Sequence, residues 1–141
     1  MKTRSAKSSI VAALGFVGVV VAVAPAPAHH SGAMFEPEKV ITLTGTVKEF
    51  EFTNPHSWLY VSVRDAAGNE TLWGFEAEGP SALMRAGIKQ RSLQPGDVVT
   101  VRTRPLRDGR PGGAWVTVTK EDGTVLNPHP NAPVPISTPA N

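Results

Sequence analysis

Short alternating segments between turn residues most constrain what this chain can fold into. In the first of them, Ile41, Leu43 and Val47 alternate with threonines, which is the pattern of a half-buried strand. Gly45 interrupts the alternation, and the apolar phase beyond it shifts to Phe50, which predicts a bulge or bend. The first strand is therefore predicted to be long and curved.

Four more strands and one short helix are predicted from similar signals. Pro80 starts the helix and Gly87 ends it. Turn residues bound each of the four strands, which span 58–64, 70–77, 98–104 and 114–119. This order predicts an all-β fold, a small five-stranded OB-like Greek-key barrel with one short helix between strands 3 and 4. An open five-stranded roll is the alternative.

The start of the chain has the three regions of a signal peptide. Lys2, Arg4 and Lys7 precede an apolar run at 10–23, and Ala26-Pro27-Ala28 matches a cleavage site. As a helix the run would be about 21 Å long, short of the ~30 Å hydrocarbon core of a bilayer. We therefore expect a cleaved signal peptide at 1–28 and a periplasmic or secreted mature protein that is not held in a membrane.

The cut is expected between Ala28 and His29, because cleavage after Ala24 or Ala26 would leave a proline first in the mature chain. Loss of the leader leaves eleven Lys and Arg against twelve Asp and Glu. A nucleic-acid partner is therefore not expected, since its electrostatic footprint is missing. The predicted parts of the mature chain are an N-terminal arm, the barrel and a disordered Pro-rich tail, at 29–39, 40–126 and 127–141.

The expected cut makes His29 the first residue of the mature chain. Its α-amine and imidazole Nδ1 can chelate one metal ion, and an amine, a deprotonated amide and the imidazole of His30 offer a competing arrangement. Both present the square-planar nitrogen donors that copper(II) prefers. His56, in the turn Asn54-Pro55-His56-Ser57, is the predicted third ligand. The alternative is a frayed terminus and a His56 that only caps its turn.

A second candidate site combines aromatic and basic residues. The aromatic residues lie on predicted strands 2 and 3, the face with which OB folds commonly bind ligands; they are Trp58, Tyr60 and Trp73. The basic residues lie on strand 4 and the loop after it, where they would bind an anionic group; they are Arg102, Arg104, Arg107 and Arg110. The alternatives are aromatic rings covered by other segments and arginines that only solubilise an edge strand.

Catalytic residues are not predicted by any motif. Ser57 follows His56 directly, and neighbouring side chains on an extended segment diverge, so they do not form a nucleophile and its base. The absence of cysteine excludes a thiol nucleophile, a disulfide framework and a thiolate zinc site. Paired glutamates on strand edges are typical of charged surface, and this is the interpretation of Glu49 with Glu51 and of Glu76 with Glu78.

Four short motifs give the chain a family resemblance. They are HHS at 29–31, LTGTV at 43–47, FTNPHSW at 52–58 and SLQPGDVVTV at 92–101. With these motifs the chain resembles a family of small exported proteobacterial proteins catalogued as a domain of unknown function. The resemblance covers about residues 29–120, and it implies export, small size and a β-barrel without implying a ligand.

These observations favour an exported, non-catalytic binding module. Its sharper form is copper(II) binding by His29, His30 and His56. The alternative is binding of a cell-envelope glycan or a protein partner through the Trp58 and Tyr60 face and the edge from Arg102 to Arg110. The sequence indicates no oligomeric state.

Overall fold

The computed structural model describes residues 32–132, which form a β-barrel with one α-helix. A short 3₁₀ helix at Gly32–Met34 precedes the barrel. The remaining elements are β1 (Ile41–Glu51), β2 (Ser57–Arg64), β3 (Glu70–Ala77), α1 (Pro80–Arg85), β4 (Val98–Pro105), β5 (Gly112–Lys120) and β6 (Val125–Leu126). The predicted signal peptide, His29, His30 and the end of the predicted tail lie outside the described residues.

The strands close into a barrel through one parallel pairing. The antiparallel order is β3-β2-β1-β4-β5, and β3 then pairs with β5 in parallel. The closed five-stranded barrel, with α1 between β3 and β4, confirms the predicted OB-like fold and excludes the open roll. The short strand β6 extends β5 and was not predicted, because two residues carry no readable alternation.

The predicted irregularity in the first strand is present. The register of β1 against β2 shifts between Val47 and Glu49, which is the signature of a β-bulge. Gly45 lies just before it, where the backbones approach closely. A β-carbon there would overlap the carbonyl oxygen of Ser62 and lie 2.8 Å from Cγ1 of Val61, so the position requires glycine.

The core fills the inside of the barrel. Buried residues alternate with more exposed ones along β2 and β4, as the two-residue period of a strand requires. Leu59 and Val61 on β2 and Phe75 on β3 are fully buried, and Leu83 of α1 joins the same cluster. Among residues 32–132, no helix has the length and apolarity needed to span a bilayer.

Segments from both ends of the described chain pack on the barrel. The arm, here residues 32–39, pairs with the end of β4: Phe35 bridges to Leu106, and the Glu36 amide donates to the Pro105 carbonyl at 2.9 Å. The C-terminal segment, here residues 127–132, begins inside the predicted tail, yet its Pro128 is buried. The two segments lie beside a common cleft.

Candidate functional site

The cleft has a volume of about 510 Å³ and lies between the arm, the C-terminal segment and the barrel wall. Gly32 and Phe35 of the arm form part of its lining. Its charged and titratable lining groups come from the arm and four other parts of the chain and are Glu38, His56, Glu76, Glu78, Arg104 and His129. The cleft therefore collects one arginine, three carboxylates and two imidazoles.

Strand register places the barrel wall of the cleft. Glu76 of β3 lies opposite Ala114 of β5, and Ala114 lies opposite Arg104 of β4. Residues directly opposite across a sheet share a face, so the carboxylate and the guanidinium flank a small side chain. With strands about 4.8 Å apart, their Cα atoms are roughly 10 Å apart. Ala114 leaves the space between them open.

His56 enters the cleft from the turn between β1 and β2, just after the cis peptide bond of Asn54-Pro55. Its Nδ1 is hydrogen-bonded to Oε1 of Glu76. A carboxylate only accepts hydrogen bonds, so Nδ1 carries the proton and the neutral ring has its lone pair on Nε2. The His56 side chain is 37% exposed and that of Glu76 only 10%, so the carboxylate is the buried, fixed member of the pair.

His129 forms a looser pair at the other side of the cleft. Its Nε2 lies 3.6 Å from Oε1 of Glu78, and both side chains are about half exposed. The backbone amide of His129 donates to Oδ1 of Asn127 at 2.8 Å. The C-terminal segment is thus held mainly by its own turn and by buried Pro128, and the exposed ion pair adds little stability.

Arg107 fixes the arm beside the cleft. Its Nε donates to the Phe35 carbonyl at 3.0 Å, and its backbone amide donates to the Met34 carbonyl at 2.9 Å. Phe35 is buried with 6% of its surface exposed. The arm therefore holds Gly32 at the cleft, three residues from His29. Three residues span at most about 10 Å, so His29 can be no farther than this from Gly32.

Within residues 32–132, no group of three or more His, Asp or Glu side chains is arranged to hold a metal ion. Of the predicted ligands, only His56 belongs to this part of the chain. The other two predicted ligands, His29 and His30, lie outside the described residues.

The predicted aromatic set is divided between the two faces of the sheet. Trp58 and Tyr60 lie on the outer face of β2 with their rings stacked, at a centroid distance of 6.4 Å and an angle of 17°. Trp73 lies opposite Val61, an inward residue, and packs against the core and Phe75. The prediction that Trp73 shares one surface with Trp58 and Tyr60 is therefore wrong. Trp73 pairs with the inward residue Val61, so its side chain lies on the inner face of the sheet.

The four predicted arginines do not form one edge. Arg104 lines the cleft, whereas Arg107 binds the arm. Arg110 pairs with Asp108 within its own loop, with an Nε to Oδ2 distance of 2.7 Å. Arg102 lies on β4 opposite Thr117. The sequence alone does not show which partner each arginine has in the folded protein.

The carboxylates that contact the two histidines were missed as partners. Glu76 and Glu78 were interpreted as charged surface, because nothing local links Glu76 to His56. The register that pairs Ser57 with Ala77 and Trp58 with Glu76 brings them together. The closest signal in the sequence is the predicted hairpin of strands 2 and 3, which places the start of strand 2 beside the end of strand 3.

Comparison with known proteins gives one match. A protein-family model described as "Family of unknown function (DUF6152)" matches residues 17–117. The matched region includes His29, His30 and His56 and most of the barrel. No curated protein and no solved structure matches the chain.

Proposed function

The chain belongs to the DUF6152 family of unknown function, and we propose from its own cleft that it is an exported, non-catalytic module that binds copper(II) through His29, His30 and His56. In this proposal the leader is removed before His29, and the working protein is periplasmic or secreted. The described barrel supplies one fixed imidazole, and the mature terminus supplies the other donors.

The observation that carries the proposal is the pairing of His56 with Glu76. A ligating histidine usually donates its second ring N–H to a carboxylate, which fixes the tautomer and makes the ligating nitrogen more basic. The His56 ring has this arrangement, with Nδ1 on Glu76 and Nε2 left for a metal ion. Gly32, three residues after His29, lines the same cleft, and three residues span at most about 10 Å.

The donor set selects the metal. The α-amine, the imidazoles and a deprotonated amide are all nitrogen donors, and copper(II) binds such donors in a square plane. The chain has no cysteine, so a closed thiolate site for zinc is excluded. The His29 chelate supplies two donors and leaves two positions in the plane, and the His30 arrangement supplies three and leaves one, so either has room for Nε2 of His56.

Replacing His56 with alanine is expected to lower copper(II) affinity at least about 100-fold, because loss of a ligand costs more than the loss of its carboxylate partner. The measurement is a competitive titration of the mature protein against a copper chelator. His129→Ala is the matched control, since it removes the other imidazole of the cleft. Equal affinities for His56→Ala and the unchanged protein would show that His56 only supports its turn.

Glu76→Gln is expected to lower copper(II) affinity about 10-fold while His56 stays in place, since partners of this kind contribute 10- to 100-fold. The glutamine oxygen still accepts the Nδ1 proton, so the change removes charge and not the hydrogen bond. Glu78→Gln is the control in the same titration. A larger loss for Glu78→Gln than for Glu76→Gln would contradict the assignment.

Arg107→Ala is expected to weaken copper(II) binding about 5-fold, because a hydrogen bond from a charged donor to the arm is worth roughly 1 kcal/mol or more. Arg110→Ala makes the same change of charge within the same loop but leaves the arm untouched. Both variants are titrated as above. If the two lose affinity equally, the effect is one of general charge and the arm does not position the terminus.

A second candidate function is binding of an envelope glycan or a protein partner on the outer face of β2. The stacked, half-buried rings of Trp58 and Tyr60 support it. The predicted arginine edge supports it less, because Arg107 donates to the Phe35 carbonyl of the arm and Arg110 pairs with Asp108 in its own loop. This function would use the two rings on β2, which do not line the copper cleft but lie next to it, since Trp58 pairs with Glu76.

A further inference from the structure

We propose that the outer face of β2 binds an arginine side chain of an extended peptide from a partner protein, held between the rings of Trp58 and Tyr60 and the carboxylates of Glu49 and Glu51. These four residues are called the aromatic face below. The proposal names the ligand of the second candidate function, and it does not depend on the copper cleft.

Strand register assembles the aromatic face. Glu51 of β1 lies opposite Trp58, and Glu49 lies opposite Tyr60. The bulge after Val47 makes this pairing possible, because it shifts both glutamates onto the face that carries the two rings. On the other side, Tyr60 lies opposite Gly74 of β3. Trp58 lies opposite Glu76 of β3, a residue of the cleft. Each ring therefore has a β1 carboxylate beside it, and the surface beside Tyr60 on the β3 side is flat.

Gly74 allows the two rings to lie close to the backbone of β3. A β-carbon at this position would lie 3.4 Å from the Tyr60 ring and 3.7 Å from the Trp58 ring. Both rings thus lie against the bare backbone of β3, and no side chain at position 74 covers them. The nearly parallel ring planes offer a surface on which a flat group can stack.

The carboxylates of the aromatic face have no internal counterion. Within residues 32–132, neither Glu49 nor Glu51 forms an ion pair, and the nearest arginine on the outer face of β2 is already bound. That arginine, Arg64, donates from Nη2 to Oε1 of Glu70 at 2.5 Å. Burial raises the pKa of Tyr60, and the charges of Glu51 and Glu49 and a hydrogen bond to Glu51 raise it further. The negative field therefore reaches the ring.

A guanidinium group matches this combination best. It is planar, it stacks on aromatic rings, and it binds carboxylates through two parallel hydrogen bonds. A neutral sugar ring would also stack, but it would leave two negative charges uncompensated. A phosphate or a nucleic acid would be repelled. Charge complementarity thus favours a cationic peptide over a glycan.

The probe is an acetylated and amidated hexapeptide that alternates glycine and arginine, added to the metal-free mature protein in the presence of a chelator. Binding is followed by the shifts of backbone amide resonances in ¹H–¹⁵N correlation spectra. We expect the shifts to map to β2 and the neighbouring parts of β1 and β3. The same peptide with citrulline in place of arginine has nearly the same shape without charge, and we expect no binding.

The double variant Glu49→Gln with Glu51→Gln is expected to weaken binding of the arginine peptide at least about 5-fold. It preserves the shape of both side chains, so it keeps the test decisive if Trp58→Ala does not fold. Glu121→Gln, on the exposed turn after β5, is the matched control. Because the assay is metal-free, its failure leaves the copper proposal standing, and loss of copper binding leaves this inference standing.

Three results would overturn the inference. The first is equal binding of the citrulline and arginine peptides. The second is unchanged binding by the double glutamine variant, which would show that the carboxylates take no part. The third is binding of neutral oligosaccharides to the aromatic face without binding of the arginine peptide, which would assign the face to a glycan.

Discussion

Adding Gly-Ser-Gly ahead of His29 should lower the copper(II) affinity of the mature protein about 1,000-fold, which corresponds to about 4 kcal/mol of binding free energy. The extension leaves every side chain in place. It converts the α-amine into an ordinary amide and moves the new amine three residues away from the His29 imidazole. In either arrangement of the terminal donors, the chelate loses the nitrogen on which it is built.

The matched control adds the same three residues after Asn141, which leaves the amino end unchanged. Competitive titration compares the two extended proteins with the mature chain. The electron paramagnetic resonance spectrum of the copper(II) complex shows how many nitrogen atoms bind the metal. Nitrogen couplings should be lost in the protein extended at its N-terminus and kept in the protein extended after Asn141. Equal affinity for the two extended proteins would remove the terminal amine from the site.

The second large effect concerns the stability of the barrel. Gly113→Ala is expected to lower the free energy of unfolding by about 3 kcal/mol, the upper part of the range for overpacking a closed interior. A β-carbon at this position would lie 2.5 Å from the backbone oxygen of Arg104 and would overlap Oγ1 of Thr103. Thr103 is fully buried, and its hydroxyl donates to the Ala114 carbonyl at 2.8 Å, so it has no free position to which it can move.

Urea denaturation measures this change. Gly32→Ala is the control, because a β-carbon at Gly32 would meet nothing within 4 Å, and its unfolding midpoint should equal that of the unchanged protein. Gly113 lies opposite Phe75 in the parallel pairing that closes the barrel. An unchanged midpoint for Gly113→Ala would mean that β4 and β5 separate easily at this point, and the close packing beside the cleft would be wrong.

The local features of the fold could be predicted from the sequence. The alternation around Leu43, the phase change near Lys48 and the Pro80 helix start are written into short windows, and each has its counterpart in β1, the bulge and α1. These features depend on backbone period and turn chemistry, which neighbouring residues determine.

Features that depend on pairing between distant segments could not be predicted. The contact of His56 with Glu76 requires the register of β2 against β3, and a shift of one residue would have moved Glu76 to the other face. The same register separates Trp73 from Trp58. The packing of Pro128 depends on a surface formed by other strands, so proline content alone suggested only an extended tail.

For the candidate site too, the sequence predicts local features but not the contacts between distant segments. The sequence identified His29, His30 and His56 by their chemistry, but it gave no distance between the terminus and the turn. The structure adds the arm, held by Arg107 and Phe35 with Gly32 at the cleft. With Gly32 held at the cleft, the three residues back to His29 span at most about 10 Å, whereas a wholly free arm of eleven residues could reach about 36 Å.

Native mass spectrometry of the protein released from the envelope of cells that export it tests the central claim most directly. One spectrum gives both the first residue of the mature chain and the mass of any metal it carries. We predict a chain that begins at His29 and holds one copper ion. A chain that begins at another residue, or one that begins at His29 and carries no copper when copper is supplied, would contradict the proposed function.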